Sequence, residues 1–134
     1  MTPEQVLLVQ NSFDKIVPIR ATVGALFYGR LFALNPALRP LFTGDMLAQS
    51  LKLMAMIELV VDNLHQFDTL LPQVQALGRA HIGYGVRDTD YETVNAALLW
   101  ALHVSLEEGF SPADEGAWTA AYTTLASTMQ AATA

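Results

Sequence analysis

The chain has 134 residues, 52% hydrophobic against 15% charged, with no cysteine and a formal net charge of −6. That length supports one domain with its own core. The missing cysteines exclude a disulfide framework, a thiolate metal site, a thiol nucleophile and a C-x-x-C-H cofactor attachment. Seven basic residues against thirteen acidic ones, scattered along the chain, leave no stripe for nucleic acid or for an acidic membrane surface. The N-terminal Met-Thr-Pro-Glu-Gln has neither a basic start nor an apolar signal core, and the uncharged apolar stretches are short of a bilayer span. A cytoplasmic location and a single domain over residues 1–134 are the expectations.

Helix signals dominate. Thr2-Pro3-Glu4-Gln5 combines an N-cap, a proline at the first helical position and a capping-box glutamine, predicting a helix that stops near Pro18. A second amphipathic run from Ile19 to Leu34 carries Val23, Leu26, Phe27, Leu31 and Phe32, and Asn35-Pro36 ends it. Pro36 to Phe42 predicts a short helix, and Thr43-Gly44-Asp45 a turn. From Met46 to Leu64 the pattern is helical again, with Gln49, Leu53, Met56 and Val60 on one stripe. Leu70, Val74, Leu77 and His81 form another. Thr89-Asp-Tyr-Glu92 reads as a capping box opening a long helix to about Glu107, and Ser111-Pro112 opens the last. Trp118, Tyr122, Leu125 and Met129 are its expected buried face. No segment alternates with the period of a strand. The prediction is an all-α fold of six or seven helices.

The most informative stretch is Leu77-Gly-Arg-Ala-His-Ile-Gly-Tyr-Gly-Val86. His81 lies on the apolar stripe of its helix, with Gly78, Ala80 and Gly83 as small flanks that would let a bulky planar group approach. A buried imidazole needs partners for both nitrogens, and the Leu77 carbonyl, four residues back, is placed to accept from Nδ1. Nε2 then faces the interior as a lone pair, which a metal ligand requires. One histidine cannot build a zinc site. His65 and His103 read as surface or packed residues. A single internal histidine in an apolar surplus fits haem, whose iron needs only one protein ligand. A metal-free core histidine is the alternative that the residues alone leave open.

Further residues carry a resemblance. Phe27-Tyr28, Leu31-Phe32, Pro36, Arg39 and Leu41-Phe42, then Gln49, Lys52-Leu53 and Met56, then Leu77 to Val86, Tyr91, Ala117-Trp118 and Tyr122 span essentially the whole chain. In this set the sequence resembles the globins, specifically single-domain bacterial haemoglobins and the globin domain of flavohaemoglobins. The resemblance implies a globin fold, a three-on-three helical sandwich around a haem pocket, and haem b as cofactor. It implies His81 as the iron ligand and Phe42 as the aromatic wedge on the porphyrin. Tyr28 and Gln49 would lie on the distal side, and Leu53, Leu77, Val86, Tyr91, Val94 and Leu98 would be the remaining haem contacts. Lys52 would reach toward a propionate, with ligation of the iron as the lesser alternative, while Met54, Met56 and Ile57 read as packing.

Physical chemistry bears on these roles. A phenol and an amide can both donate a hydrogen bond to an iron-bound gas that has drawn negative charge. For Tyr28 a core aromatic with a wet hydroxyl explains the spacing equally. Gln49 shares its stripe with Leu53, Met56 and Val60, so a buried amide there must be compensated. The leading expectation is reversible binding of O₂, CO and NO at a five-coordinate ferrous iron. The alternatives are NO dioxygenation with an external reductase, since no flavin or nicotinamide motif is present, and a haem-based gas sensor. A haem-free interaction module is a further possibility, and monomer or homodimer is left open. The region Met129-Gln-Ala-Ala-Thr133 lacks the carboxylate that peroxidase-like relatives use behind the histidine, which counts against strong electron push. No catalytic residue is assigned.

Overall fold

The structure is a computed structural model that describes residues 1–42, 44–83 and 87–132, the side chains of 82 and 83 excepted. Thr43 and Val86, both named above, lie outside the described residues. Among those described there are six α-helices and no strand: α1 Pro3–Ile16, α2 Arg20–Leu34, α3 Met46–Asp62, α4 Leu71–Gly83, α5 Asp88–Leu106 and α6 Pro112–Ala131.

Capping fixes most of the boundaries. Gln5 N donates to Thr2 Oγ1 at 3.1 Å and Thr2 N to Gln5 Oε1 at 3.0 Å, closing the expected box. Asn35 Oδ1 accepts from Ala37 N at 3.2 Å and starts a 3₁₀ turn over Pro36–Leu41. Ser111 caps α6, with Asp114 reaching back to Ser111 N at 2.9 Å. The α5 box differs from the expectation. The helix starts one residue before Thr89, and Asp90 rather than Glu92 reaches back, accepting from Arg87 N at 2.8 Å. Arginine has no acceptor, so only this half of the box forms. The 3₁₀ stretch Leu64–Leu70, with Gln66 at φ −141°, has no counterpart in the periodicity.

The helices stack three on three. α2 packs on α3 and α5, while α6 packs on α1, α4 and α5. Val9, Phe13 and Ile16 of α1 meet Val23, Phe27 and Leu31 of α2 and Ala101 and Leu102 of α5 in one buried cluster. The helical run Pro3–Leu34 is long and apolar enough to cross a bilayer by length and composition. Val9, Phe13, Ile16, Val23, Phe27 and Leu31 of this run are buried in the core while Leu7, Ile19 and Leu34 are exposed, and a 3₁₀ turn at Val17–Ile19 interrupts it.

Two glycines set the closest helix approaches. A Cβ at Gly24 would lie 2.7 Å from Ser50 Cβ, where α2 crosses α3. A Cβ on Gly78 would meet the Met129 carbonyl oxygen and lie 2.7 Å from Met129 Cα. Gly78 is therefore small because α6 lies on it, which corrects its expected role as clearance for a planar group. Ala80 is exposed.

Gly78→Ala should cost about 1–3 kcal/mol by overpacking the α4–α6 crossing, measured by denaturant unfolding. An unchanged midpoint would show that the helices part freely. Glu107 closes α5 at φ 51°, ψ −122°, a conformation suited to glycine. Glu107→Gly should therefore raise stability by about 1 kcal/mol, and a lower melting temperature would contradict it.

Candidate functional site

One apolar cavity of about 160 Å³ lies beneath α3 and α4, and α5 and α6 complete its walls. α4 supplies Leu77 and His81, α3 supplies Leu53, Met56, Ile57 and Val60, and α5 supplies Tyr91, Val94 and Leu98. Helical periodicity explains the convergence. Leu77 and His81 are four residues apart, as are Val94 and Leu98, so each pair shares one helix face.

His81 is half-buried, and its Nδ1 lies 2.7 Å from the Leu77 carbonyl oxygen, the contact expected from the spacing. That carbonyl can only accept, so Nδ1 carries the proton and Nε2 is the basic nitrogen. The His81 ring lies 6.4 Å from the Tyr91 ring. The Tyr122 hydroxyl donates to the Tyr91 carbonyl at 2.5 Å and ties α6 to the first turn of α5 behind the histidine. Burial is the main cause raising the Tyr122 pKa well above the usual phenol range, with neighbouring Tyr91 adding to it. Tyr91 is raised too, by burial first and the Asp88 carboxylate second.

Of the residues expected at the site, His81, Leu53, Leu77, Tyr91, Val94 and Leu98 line this cavity. Phe42, Tyr28 and Gln49 do not. Tyr28 and Phe42 pack edge to face at 5.2 Å, and Phe32 completes the cluster at 5.9 Å from Tyr28 and 5.5 Å from Phe42. Arg39 locks this corner, its guanidinium lying over Phe32 while Nη1 donates to the Phe42 carbonyl at 2.8 Å. Burial pushes the Tyr28 pKa up to about 12. Gln49 is half-buried on the same helix as Leu53, and Lys52 is exposed.

Sequence reasoning missed some of the wall. Met56 and Ile57 were read as packing, yet they face the cavity. Phe27, Asp90 and Ala126 also line it. Asp90 is 3% exposed, but its carboxylate is committed to the Arg87 amide. The Tyr122–Tyr91 bond joins residues 31 apart, a separation that leaves no local signal.

The chemistry of this donor set is narrow. No group of three or more metal-ligating side chains occurs among the described residues. His103 instead pairs with Glu115 at 3.1 Å, and His65 is exposed. One oriented imidazole in an apolar wall suits a cofactor that brings its own metal and needs a single axial ligand. A cofactor pocket usually measures a few hundred Å³ or more. The cavity as it stands is smaller than a bound macrocycle.

A family profile described as Globin matches residues 25–129. Neuroglobin-1 of Oncorhynchus mykiss is 27% identical over 96% of this chain and 90% of that protein. Neuroglobin of Danio rerio is 29% identical over 91% and 86%. A hexacoordinated heme protein from an anhydrobiotic tardigrade superposes with a TM-score of 0.88 at 16% identity, covering 98% of this chain and 94% of that one. A bacterial globin from Campylobacter jejuni gives 0.84 at 22% identity, covering 98% and 95%. The structural likeness carries the fold, and the profile match, extending from α2 to the end of α6, carries the family: this chain belongs to the globins.

Proposed function

We propose that the chain holds haem b and through it reversibly binds O₂, and also CO and NO, with His81 as the iron's one protein ligand. When bound, ferrous haem supplies the reversible coordination of a diatomic gas. The observation that carries the reading is the 2.7 Å contact of His81 Nδ1 with the Leu77 carbonyl on the wall of an apolar cavity. That bond fixes the ring's tautomer and orientation. Leu53, Leu77, Val94 and Leu98 keep water from the histidine, while Phe42, Tyr91 and Val86 are the remaining proposed cofactor contacts.

Tyr28 and Gln49, which lie off the wall of the His81 cavity on α2 and α3, are the proposed hydrogen-bond donors to the gas, reached when the pocket widens around the cofactor. With its pKa near 12, Tyr28 keeps its proton at any physiological pH and can donate. A five-coordinate resting iron is supported by the placement of His65 and His103 away from the cavity, and by the weakness of an amide such as Gln49 as an iron ligand. The tardigrade protein is described as hexacoordinated, so coordination number is the property most worth measuring.

Absorption spectra of the purified protein, ferric, ferrous and ferrous with CO, test the reading directly. Haem bands should be present and shift with CO, and His81→Ala should lose or alter them. A folded protein that takes up no supplied haem would overturn the proposal, and a six-coordinate ferrous spectrum would overturn its five-coordinate part. Tyr28→Phe and Gln49→Leu should each speed O₂ dissociation by roughly tenfold, the effect of losing one hydrogen bond of about 1.5 kcal/mol. Unchanged rates in both variants would remove the distal assignment.

The raised Tyr28 pKa also predicts a pH effect. The folded protein holds this proton more tightly than the unfolded chain, whose phenol titrates near 10. Stability from Tyr28 is thus complete below pH 10 and is lost as pH rises through about 12. Melting temperature should fall across that window, and less steeply in Tyr28→Phe. Identical slopes would show that Tyr28 titrates as in the unfolded chain.

A further inference from the structure

The outer face of α3 is uncovered. The helix packs on α2, on α1 and on the 3₁₀ stretch that follows it. It turns Leu47, Leu51, Ala55 and Leu59 to solvent, each four residues after the last. Leu47 is 57% exposed, Leu51 42% and Leu59 38%, so the row is a continuous apolar ridge rather than scattered single side chains. Lys52 and Glu58 flank the ridge, both exposed and neither in an ion pair among the described residues.

We propose that this ridge is the contact between two copies of the chain, related by a two-fold axis that runs along the row at Ala55. A symmetric contact sets each residue against its own copy or against a reciprocal partner. With the axis along the row, Leu51, Ala55 and Leu59 meet their own copies. The i±4 rows of the two helices then run parallel, which gives the crossing near 50° that is commonest between packed helices. Lys52 and Glu58 stand three residues before and after Ala55, on opposite edges of the row. The axis exchanges their places, so Lys52 faces Glu58 of the partner subunit and Glu58 faces the partner's Lys52. Ala55, the small residue at the centre, lets the backbones close, and the leucines on either side supply apolar area. A net charge of −6 opposes self-association in general. The ridge itself carries one positive and one negative group, and a second copy answers both at once. Lys52 is thereby assigned to the partner rather than to the propionate that the resemblance implies.

Each copy contributes one helix face, small against a standard interface, so the dimer is weak, with Kd between about 10 µM and 1 mM. The inner face of α3 lines the His81 cavity, on the opposite side of the helix, so the contact is independent of haem. Sedimentation of the whole protein across concentration, with and without supplied haem, tests it. A reversible, concentration-dependent dimer is expected. Ala55→Glu, which sets two carboxylates on the axis at an exposed position, should abolish it while circular dichroism stays unchanged. Lys52→Glu and Glu58→Lys should each raise Kd roughly tenfold by setting like charges together, and the double swap should restore the native value. Lys52→Glu makes the chain more acidic and Glu58→Lys less so. A general charge effect would therefore move the two variants in opposite directions, and that outcome would overturn the pairing, as would a double swap that restores nothing. A dimer indifferent to Ala55→Glu would overturn the face. A chain that stays monomeric up to about 1 mM would overturn the dimer and leave the ridge to a different partner.

Discussion

The approach of α4 to α6 at Gly78 is the constraint on which the site depends. With no side chain there, the α6 backbone at Met129 lies directly against α4. That contact fixes how deep α4 sits, and therefore where Leu77 and His81 meet the cavity. A larger residue would lift the helix and carry the imidazole with it. The Leu77 carbonyl, one helical turn before His81, then sets the ring's orientation. Helix position and histidine tautomer are thus two consequences of one packed segment.

Opposite α4, a second set of constraints holds the remaining walls. The Tyr122 hydroxyl, bonded to the Tyr91 carbonyl, joins α6 to the start of α5 just behind His81. Gln10 of α1 donates to the Val61 carbonyl at 3.1 Å and Ser12 of α1 lies 3.5 Å from Asp114, so α1 is tied to both α3 and α6. At the other end Arg39 holds the Phe42 carbonyl and covers Phe32, making a rigid aromatic corner from α2 and the following turn. The polar groups near the cavity are thereby committed to structure, which leaves its interior apolar. An apolar interior with one oriented imidazole is what separates this site from a hydrolytic or multi-ligand metal centre.

Much of this was legible in the residues. Thr2 and Ser111 mark helix starts by local chemistry and Asn35-Pro36 marks the end of α2, and the structure uses all three. The Leu77–His81 spacing predicts its own hydrogen bond, because an i, i−4 relation is set by helix geometry alone. Leu53, Val94 and Leu98 reach the cavity because their helical faces are defined by periodicity. The α5 N-cap was misplaced by two residues because Asp90 stands at the same three-residue spacing from Arg87 as Glu92 does from Thr89, and it is the Arg87 amide that is capped. Gly78 was misread because a small residue looks the same whether it makes room for a ligand or for another helix. The placement of Phe42, Tyr28 and Gln49 off the cavity wall depends on how α2, the turn after it and α3 pack, which no local pattern encodes.

The sequence by itself determined the α-helices, most of their caps, the apolar faces and the one histidine with a backbone partner, since each follows from interactions within a turn or two of chain. Tertiary structure alone decided that α6 backs α4, that Tyr122 reaches Tyr91, and that residues of α2 to α6 converge on one apolar cavity. Those features join residues far apart in the chain, and their existence depends on how closely whole helices approach.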